Sequence, residues 1–198
     1  MLTLLNGISF GLILFLLASG LSLVIGAMGV LNLAHGALYM IGAYVGWSVA
    51  IDLKLNFVFA VMAGALAAGA AGVLMERAFF QRLRGAPDEQ ILASFGFLYI
   101  FTDLVKVLWG PTAKAPFQVP ALSGSVTVGD FSYPVVRVVI IGVGLAFALG
   151  LWWVQSRSRV GAIVRAGMDD REMVRAMGIN IRRVSAGLFL LGSAVAGA

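Results

Sequence analysis

Three groups of polar residues interrupt an otherwise apolar chain, and the spacing of each permits a particular chemistry. The first is Asn32-Leu33-Ala34-His35-Gly36, followed by Tyr39 and Tyr44. It places an amide, the single imidazole of the chain and a glycine where two apolar stretches meet. Non-helical backbone at membrane depth survives only where protein or a water-filled path satisfies its polar groups. Transporters use such interrupted helices to present backbone dipoles to a solute near the midplane. The same residues also read as a tight interfacial turn whose asparagine caps the next helix. Both readings stand on the residues alone, and Asn32, His35, Gly36, Tyr39 and Tyr44 are the candidate pathway residues.

The second group is Asp103 and Lys106, with Thr102 beside them in an apolar run. Ionisable groups in a span are expensive and mark function by default. At i,i+3, however, the two form a self-neutralising ion pair, and Lys106 is near enough to the end of its run to reach the interface. Structural pairing is the better reading.

The third group lies in residues 159–183. On a helix, Ile163, Ala166, Asp170, Met173, Val174 and Met177 share one sector, while Arg165, Asp169, Arg171, Glu172 and Arg175 lie outside it. Arg165/Asp169 and Glu172/Arg175 have the spacing of supporting ion pairs, and Gly178 is placed to stop the helix. The result is a short amphipathic helix through 163–177. Helices that lie on lipid carry bulky apolar side chains. This one offers small residues and Met with acids nearby, which suits a groove on another protein.

Other chemistry is excluded. There is no cysteine and one histidine, so neither a thiolate site nor a multi-histidine metal site can form. No G-x-x-x-x-G-K-[ST] loop for ATP occurs. A dyad of His35 with Ser19 or Ser22 is conceivable, but no G-x-S-x-G elbow accompanies it.

The elements that must position these groups follow from composition. Of 198 residues, 61% are hydrophobic and 12% charged, and mean hydropathy is +0.99. Soluble domains carry about 25% charge. A soluble enzyme, a disordered chain and a fibre are all excluded, and the fold class is an all-α polytopic transmembrane bundle, read as one transmembrane domain over 1–198. A span needs about 20 mostly apolar residues, and six stretches serve as spans: about 7–29, 35–51, 57–75, 91–109, 134–154 and 184–198. The last ends in mid-run, which reads as a truncated chain or as a span that needs a partner.

Net charge is +5, with no charged residue in 1–51. Arg77, Arg82 and Arg84 cluster in 76–90, and seven more arginines in 155–183. That is the positive-inside pattern of cytoplasmic loops, so no nucleic-acid partner is implied. Residues 52–56 and 110–133 then face outward, and so does the N-terminus if 1–51 makes two full crossings. No basic n-region precedes the first apolar block, so it is not a secretory signal. Ser125-Val126-Thr127-Val128 before Gly129-Asp130 predicts a strand meeting a hairpin turn. Arg137 reads as an interfacial anchor. Small residues every fourth position, Ala60/Gly64/Ala68/Gly72 and Gly142/Ala146/Gly150, predict helix-packing faces.

Two segments carry a family resemblance. G-A-M-G-V-L-N-L-A-H-G-A-L-Y-M-I-G-A-Y (26–44) resembles the N-terminal signature of the branched-chain amino acid ABC transporter permeases. R-A-G-M-D-D-R-E-M-V-R-A-M-G-I-N (165–180) resembles the cytoplasmic coupling segment of that family. The match is to the subunit type that starts directly with its first span, and it covers the whole chain in order. It implies an importer in the bacterial inner membrane that carries Leu, Ile, Val or a related small solute. Its expected partners are two ABC ATPase subunits, a second homologous permease and an extracytoplasmic solute-binding protein. ATP would be bound by the ATPases and no cofactor by this chain, which is then not an enzyme. The coupling helix would comprise Arg165, Ala166, Asp169, Asp170, Glu172, Met173, Val174, Ala176, Met177 and Gly178. Family members are longer, so the region after Ala198 is expected to be missing. An ATP-independent channel or carrier, and uptake of urea or short amides, are the alternatives.

Overall fold

The computed structural model describes residues 2–29, 31–83, 85–115, 122–128 and 131–198. An uncharged run forms α1 (Leu2–Met28), whose 27 residues are stopped by Gly29 at a left-handed φ of 72°. α2 (His35–Ile51) follows, and then α3 (Phe57–Met75), where the Asn56 side chain accepts the Val58 N–H at 2.7 Å. A π-helical turn, Glu76–Phe80, extends α3, with the Gln81 N–H donating to the Glu76 carbonyl at 2.8 Å. α4 (Pro87–Trp109) opens on Pro87, Asp88 and Glu89, a good first turn because proline lacks the N–H the turn cannot use and acids suit the helix dipole. Antiparallel strands β1 (Ser125–Val128) and β2 (Phe131–Pro134) pair with Ser125 opposite Pro134. Gly129 and Asp130, expected at their turn, lie outside the described residues. α5 (Val135–Arg157), α6 (Arg159–Asp169), α7 (Arg171–Ala176) and α8 (Ile181–Gly197) complete the chain.

Four helical stretches are long and apolar enough to cross a membrane: Thr3–Gly26, Phe57–Phe80, Pro87–Trp109 and Val135–Arg157. Six such spans were expected, and four helices have that length on their own. Segment 35–51 and the C-terminal segment form helices of 17 residues each, about 26 Å at 1.5 Å per residue. The reason is depth. The Nε2 of His35 is 3.2 Å from the carbonyl of Leu17, halfway along α1, so α2 starts inside the bundle rather than at its surface. α8 spends its first turn on Arg182 and Arg183.

Packing is by backbone contact. A Cβ on Gly64 would sit 2.6 Å from the carbonyl oxygen of Gly197 and 2.7 Å from that of Gly42, so α2, α3 and α8 meet with no side chain between them. α1 joins through Gly20 and Gly192, where a Cβ on Gly192 would lie 2.6 Å from the Gly20 carbonyl. Ala60, Gly64, Ala68 and Gly72 of the small-residue face of α3 are all buried. The corresponding face of α5 differs. Gly142 and Gly150 have open space where a Cβ would go, and α5 packs instead through Gly144, where a Cβ would lie 2.9 Å from that of Leu12. Below the glycine layer, Phe80 rings lie 5.7 Å from Phe189 and 6.3 Å from Phe97. This aromatic core, with Leu38, Met75 and Phe101, ties α2, α3, α4 and α8 together.

Sidedness is consistent through the bundle. Arg137, at the start of α5, donates to the Asn6 side chain at the start of α1, and Trp109 at the end of α4 donates to Ser48 near the end of α2 at 2.6 Å. The opposite end gathers Arg77, Arg82, Arg157, Arg165, Arg182 and Arg183. Positive-inside bias assigns that end to the cytoplasm.

Gly64→Val should therefore cost about 1–3 kcal/mol through overpacking, read as a lower thermal midpoint in mild detergent. Gly142→Val, on an open face, should leave the midpoint unchanged.

Candidate functional site

The break between α1 and α2 is built from side chains that replace missing helical partners. The Asn32 Oδ1 accepts the Ala34 N–H at 3.1 Å, and the Ser94 hydroxyl, reaching from α4, accepts the Leu33 N–H at 3.1 Å. The α2 N-terminus itself has no side-chain cap, so Asn32 shapes the turn that precedes α2 rather than capping it. Asn32 and His35 are buried, at 2% and 3% exposure. The Asn32 Nδ2, His35 Nδ1 and Ser193 Oγ have no hydrogen-bond partner among the described residues. The Ser19 hydroxyl donates to its own helix at Leu16, 2.8 Å away, rather than to His35, and Ser22 is exposed, so no Ser–His dyad is assembled.

α2 presents two faces. His35, Leu38, Gly42 and Gly46 turn into the bundle. Tyr39, Ala43 and Trp47, four residues apart, turn outward into a cavity of about 820 Å³ on the extracytoplasmic side. Tyr44, Lys114 and Ile140 are also in its lining. Trp47 is fixed there, since its Nε1–H donates to the Ala115 carbonyl at 3.0 Å and the Lys114 Nζ lies 5.2 Å from its ring centroid. Tyr44 packs 5.6 Å from the Trp109 ring. The five candidate pathway residues thus divide: Tyr39 and Tyr44 line the cavity, Asn32 and His35 are buried behind it, and Gly36 is exposed with open space at its Cβ position. Trp47 and Lys114 were missed by sequence reasoning. Trp47 continues the Tyr39/Ala43 face by helical period and was recoverable, whereas Lys114 sits in a loop whose position no local pattern encodes.

Asp103 and Lys106 pair at 3.0 Å on the outside of α4, with side chains 68% and 57% exposed. They lie away from the cavity lining.

The cytoplasmic amphipathic segment corrects another expectation. Instead of one helix through 163–177, α6 and α7 are separated at Asp170, which has extended backbone (φ −149°, ψ 103°). The Asp170 Oδ1 accepts the Met173 N–H at 3.0 Å, so an acid expected on the helix face is the N-terminal cap of a second helix. The shared sector is split accordingly. Val174 is buried at 2% exposure in a pocket with Ile163, Val164, Ile181 and Leu188, while Met173 and Met177 stand 64% and 69% exposed. Ala166, Asp169 and Ala176 are exposed too. Arg165 donates to the Gln155 carbonyl of α5 rather than to Asp169. The side chains of Arg171, Glu172 and Arg175 lie outside the described residues. Gly178, at φ 80°, ends α7.

Among the described residues no group of three metal-ligating side chains occurs. A bundle of apolar helices with an aromatic cavity at one face and an exposed, firmly seated helix pair at the other has the make-up of a membrane permease. The comparisons give that class a family. The model of the family "Branched-chain amino acid transport system / permease component" matches residues 3–198, and the chain belongs to that family. It is 29% identical to the high-affinity branched-chain amino acid transport system permease protein BraD of Pseudomonas aeruginosa, over 98% of this chain and 67% of that protein. It is 31% identical to the permease protein LivH of Salmonella typhimurium and of Escherichia coli K12, over 96% of this chain and 66% of each. The chain thus spans about two thirds of the length of these relatives. No solved structure matches it. It is a multi-pass inner-membrane protein.

Ser94→Ala removes the acceptor for Leu33 at a buried site and should cost about 1–3 kcal/mol. Faster hydrogen–deuterium exchange confined to 31–38 would locate that loss in the break.

Proposed function

We propose that this chain is the membrane-spanning permease subunit of an ATP-driven importer for branched-chain amino acids or a close analogue. The observation that carries the reading is α7: Val174 locks it to α6 and α8 while Met173 and Met177 stay free at the cytoplasmic end, in a member of the permease family. An exposed methionine pair on a seated helix suits a partner's groove, because thioether side chains adapt to the surface they meet. The partners are two ATPase subunits, a second homologous permease and a solute-binding protein on the outer side. ATP is bound and hydrolysed by the ATPases, and this chain needs no cofactor. Energy then enters because closure of the ATPases favours one arrangement of the helices over another.

The cavity supports a solute with an aliphatic part. Ala43 and Ile140 give it apolar wall, Tyr39 and Trp47 give it ring faces, and Lys114 gives it a cation able to meet a carboxylate. That favours an amino acid over urea. The rival reading, an ion-driven carrier, needs charge along the path, and the exposed Asp103–Lys106 pair lies outside the cavity.

Reconstituted with cognate ATPases and binding protein, the permease should give leucine uptake that stops without ATP. Uptake that persists without ATPases and follows an ion gradient would replace this reading with the carrier. Met173→Asp/Met177→Asp should lower ATP-dependent uptake by about tenfold or more, since a buried unpaired charge at an interface costs several kcal/mol. Cysteines at the same positions should crosslink to an ATPase. Lys114→Gln should raise the half-saturating solute concentration about tenfold, the loss of roughly 1.4 kcal/mol, with Vmax little changed.

A further inference from the structure

A second feature of the cytoplasmic half is independent of the transport cavity. α3 and α8 run side by side and leave a groove of about 600 Å³ whose lining includes Val73, Leu74, Gly187 and Leu190, with Arg77 and Arg183 at the cytoplasmic lip. The two helices match in register: seven residues separate Ala70 from Arg77, and seven separate Arg183 from Leu190. The wall below the lip is thus about 10 Å of apolar surface. It is open, since Leu74 and Leu190 are 66% and 42% exposed and a Cβ on Gly187 would meet nothing within 4 Å.

The two ends of the groove ask for different chemistry. Neither Arg77 nor Arg183 pairs with a carboxylate among the described residues. The neighbouring acid, Glu76, is buried at 1% exposure and accepts from the Gln81 amide at 2.6 Å. Guanidinium groups bind phosphate oxygens through paired N–H donors. The floor, in contrast, has no polar side chain to offer. A free phosphate would leave the floor bare, and a zwitterionic lipid would bring a quaternary ammonium of its own beside the two arginines, offsetting what its phosphate gains there. We infer that this groove is a binding site for one anionic phospholipid, whose phosphate is held between Arg77 and Arg183 and whose acyl chain lies along Leu74 and Leu190. Basic pockets between spans on the cytoplasmic side attract such headgroups.

Native mass spectrometry of the chain in mild detergent tests this with phosphatidylglycerol, phosphatidylcholine of the same acyl chains, and inorganic phosphate. Retention of phosphatidylglycerol should exceed that of phosphatidylcholine by on the order of tenfold, and inorganic phosphate should neither bind nor displace it. Arg77→Gln/Arg183→Gln should abolish the preference, Arg77→Lys/Arg183→Lys should keep part of it, and Arg82→Gln/Arg157→Gln, elsewhere on the same end, should keep all of it. Gly187→Leu retains both arginines and fills the floor from an open position, so it should lower retention of both lipids without unfolding the helix. Equal retention of the two lipids by the parent chain, phosphatidylglycerol held undiminished by both the double Gln variant and Gly187→Leu, or displacement by phosphate would each overturn the assignment.

Discussion

Hydrocarbon gives two α-helices no hydrophobic reason to associate, because lipid tails are as apolar as leucine; association depends on how closely backbones approach. In this chain that approach is made where Gly42, Gly64 and Gly197 meet and where Gly20 meets Gly192. Helices joined at that distance leave no room for a side chain to adjust, so their relative depth is fixed. The rest follows from that depth. With Gly42 held against α3 and α8, the start of α2 lies about two turns below it, at the level of Leu17. The connection from α1 must then run as irregular backbone inside the bundle, which is where Asn32 and Ser94 are needed to accept its N–H groups.

The same geometry produces the cavity. A helix whose inner face is spent on Leu38, Gly42 and Gly46 turns the opposite face, Tyr39, Ala43 and Trp47, away from α3 and α8. α5 packs on α1 through Gly144 rather than covering that face. The space between is bordered by the segment carrying Lys114 and Ala115, which Trp47 holds through its indole N–H and its ring. Aromatic and cationic groups therefore reach the cavity because the glycine contacts exclude them from the other side of α2.

Much of this was legible in residue spacing, and the failures have physical causes. The four-residue repeat from Ala60 to Gly72 marked the contact face of α3 because a helix brings every fourth residue to one side. The same four-residue spacing from Gly142 to Gly150 marked nothing that packs among the described residues, since spacing records that a face is smooth and not whether another helix arrives. Segment 35–51 was counted as a span because hydropathy records length and polarity; depth is set by tertiary contact and has no local signature. Asp170 read as one more residue on an amphipathic face, but a short acid that can accept its own backbone N–H three residues on competes with continuous helix, and the capped break won. Glu76, at the start of the stretch 76–90 whose arginines mark a cytoplasmic loop, is buried because the π-helical turn carries α3 one turn further than apolar residues alone would suggest.

The break at Asp170 changes how force could be delivered. A single rigid helix through 163–177 would present its apolar sector to one partner and would need that same sector to hold it to the bundle. Two short helices separate the tasks: Val174, with Ile163 and Val164, seats the pair on Ile181 and Leu188, and Met173 and Met177 remain exposed, as the proposed coupling role requires. A displacement of α7 would therefore act on the first turns of α8. The other end of α8 is Gly197, wedged between Gly42 and Gly64, and α2 carries the cavity face. Contacts this close transmit movement because packed interfaces shift between discrete arrangements rather than deform smoothly.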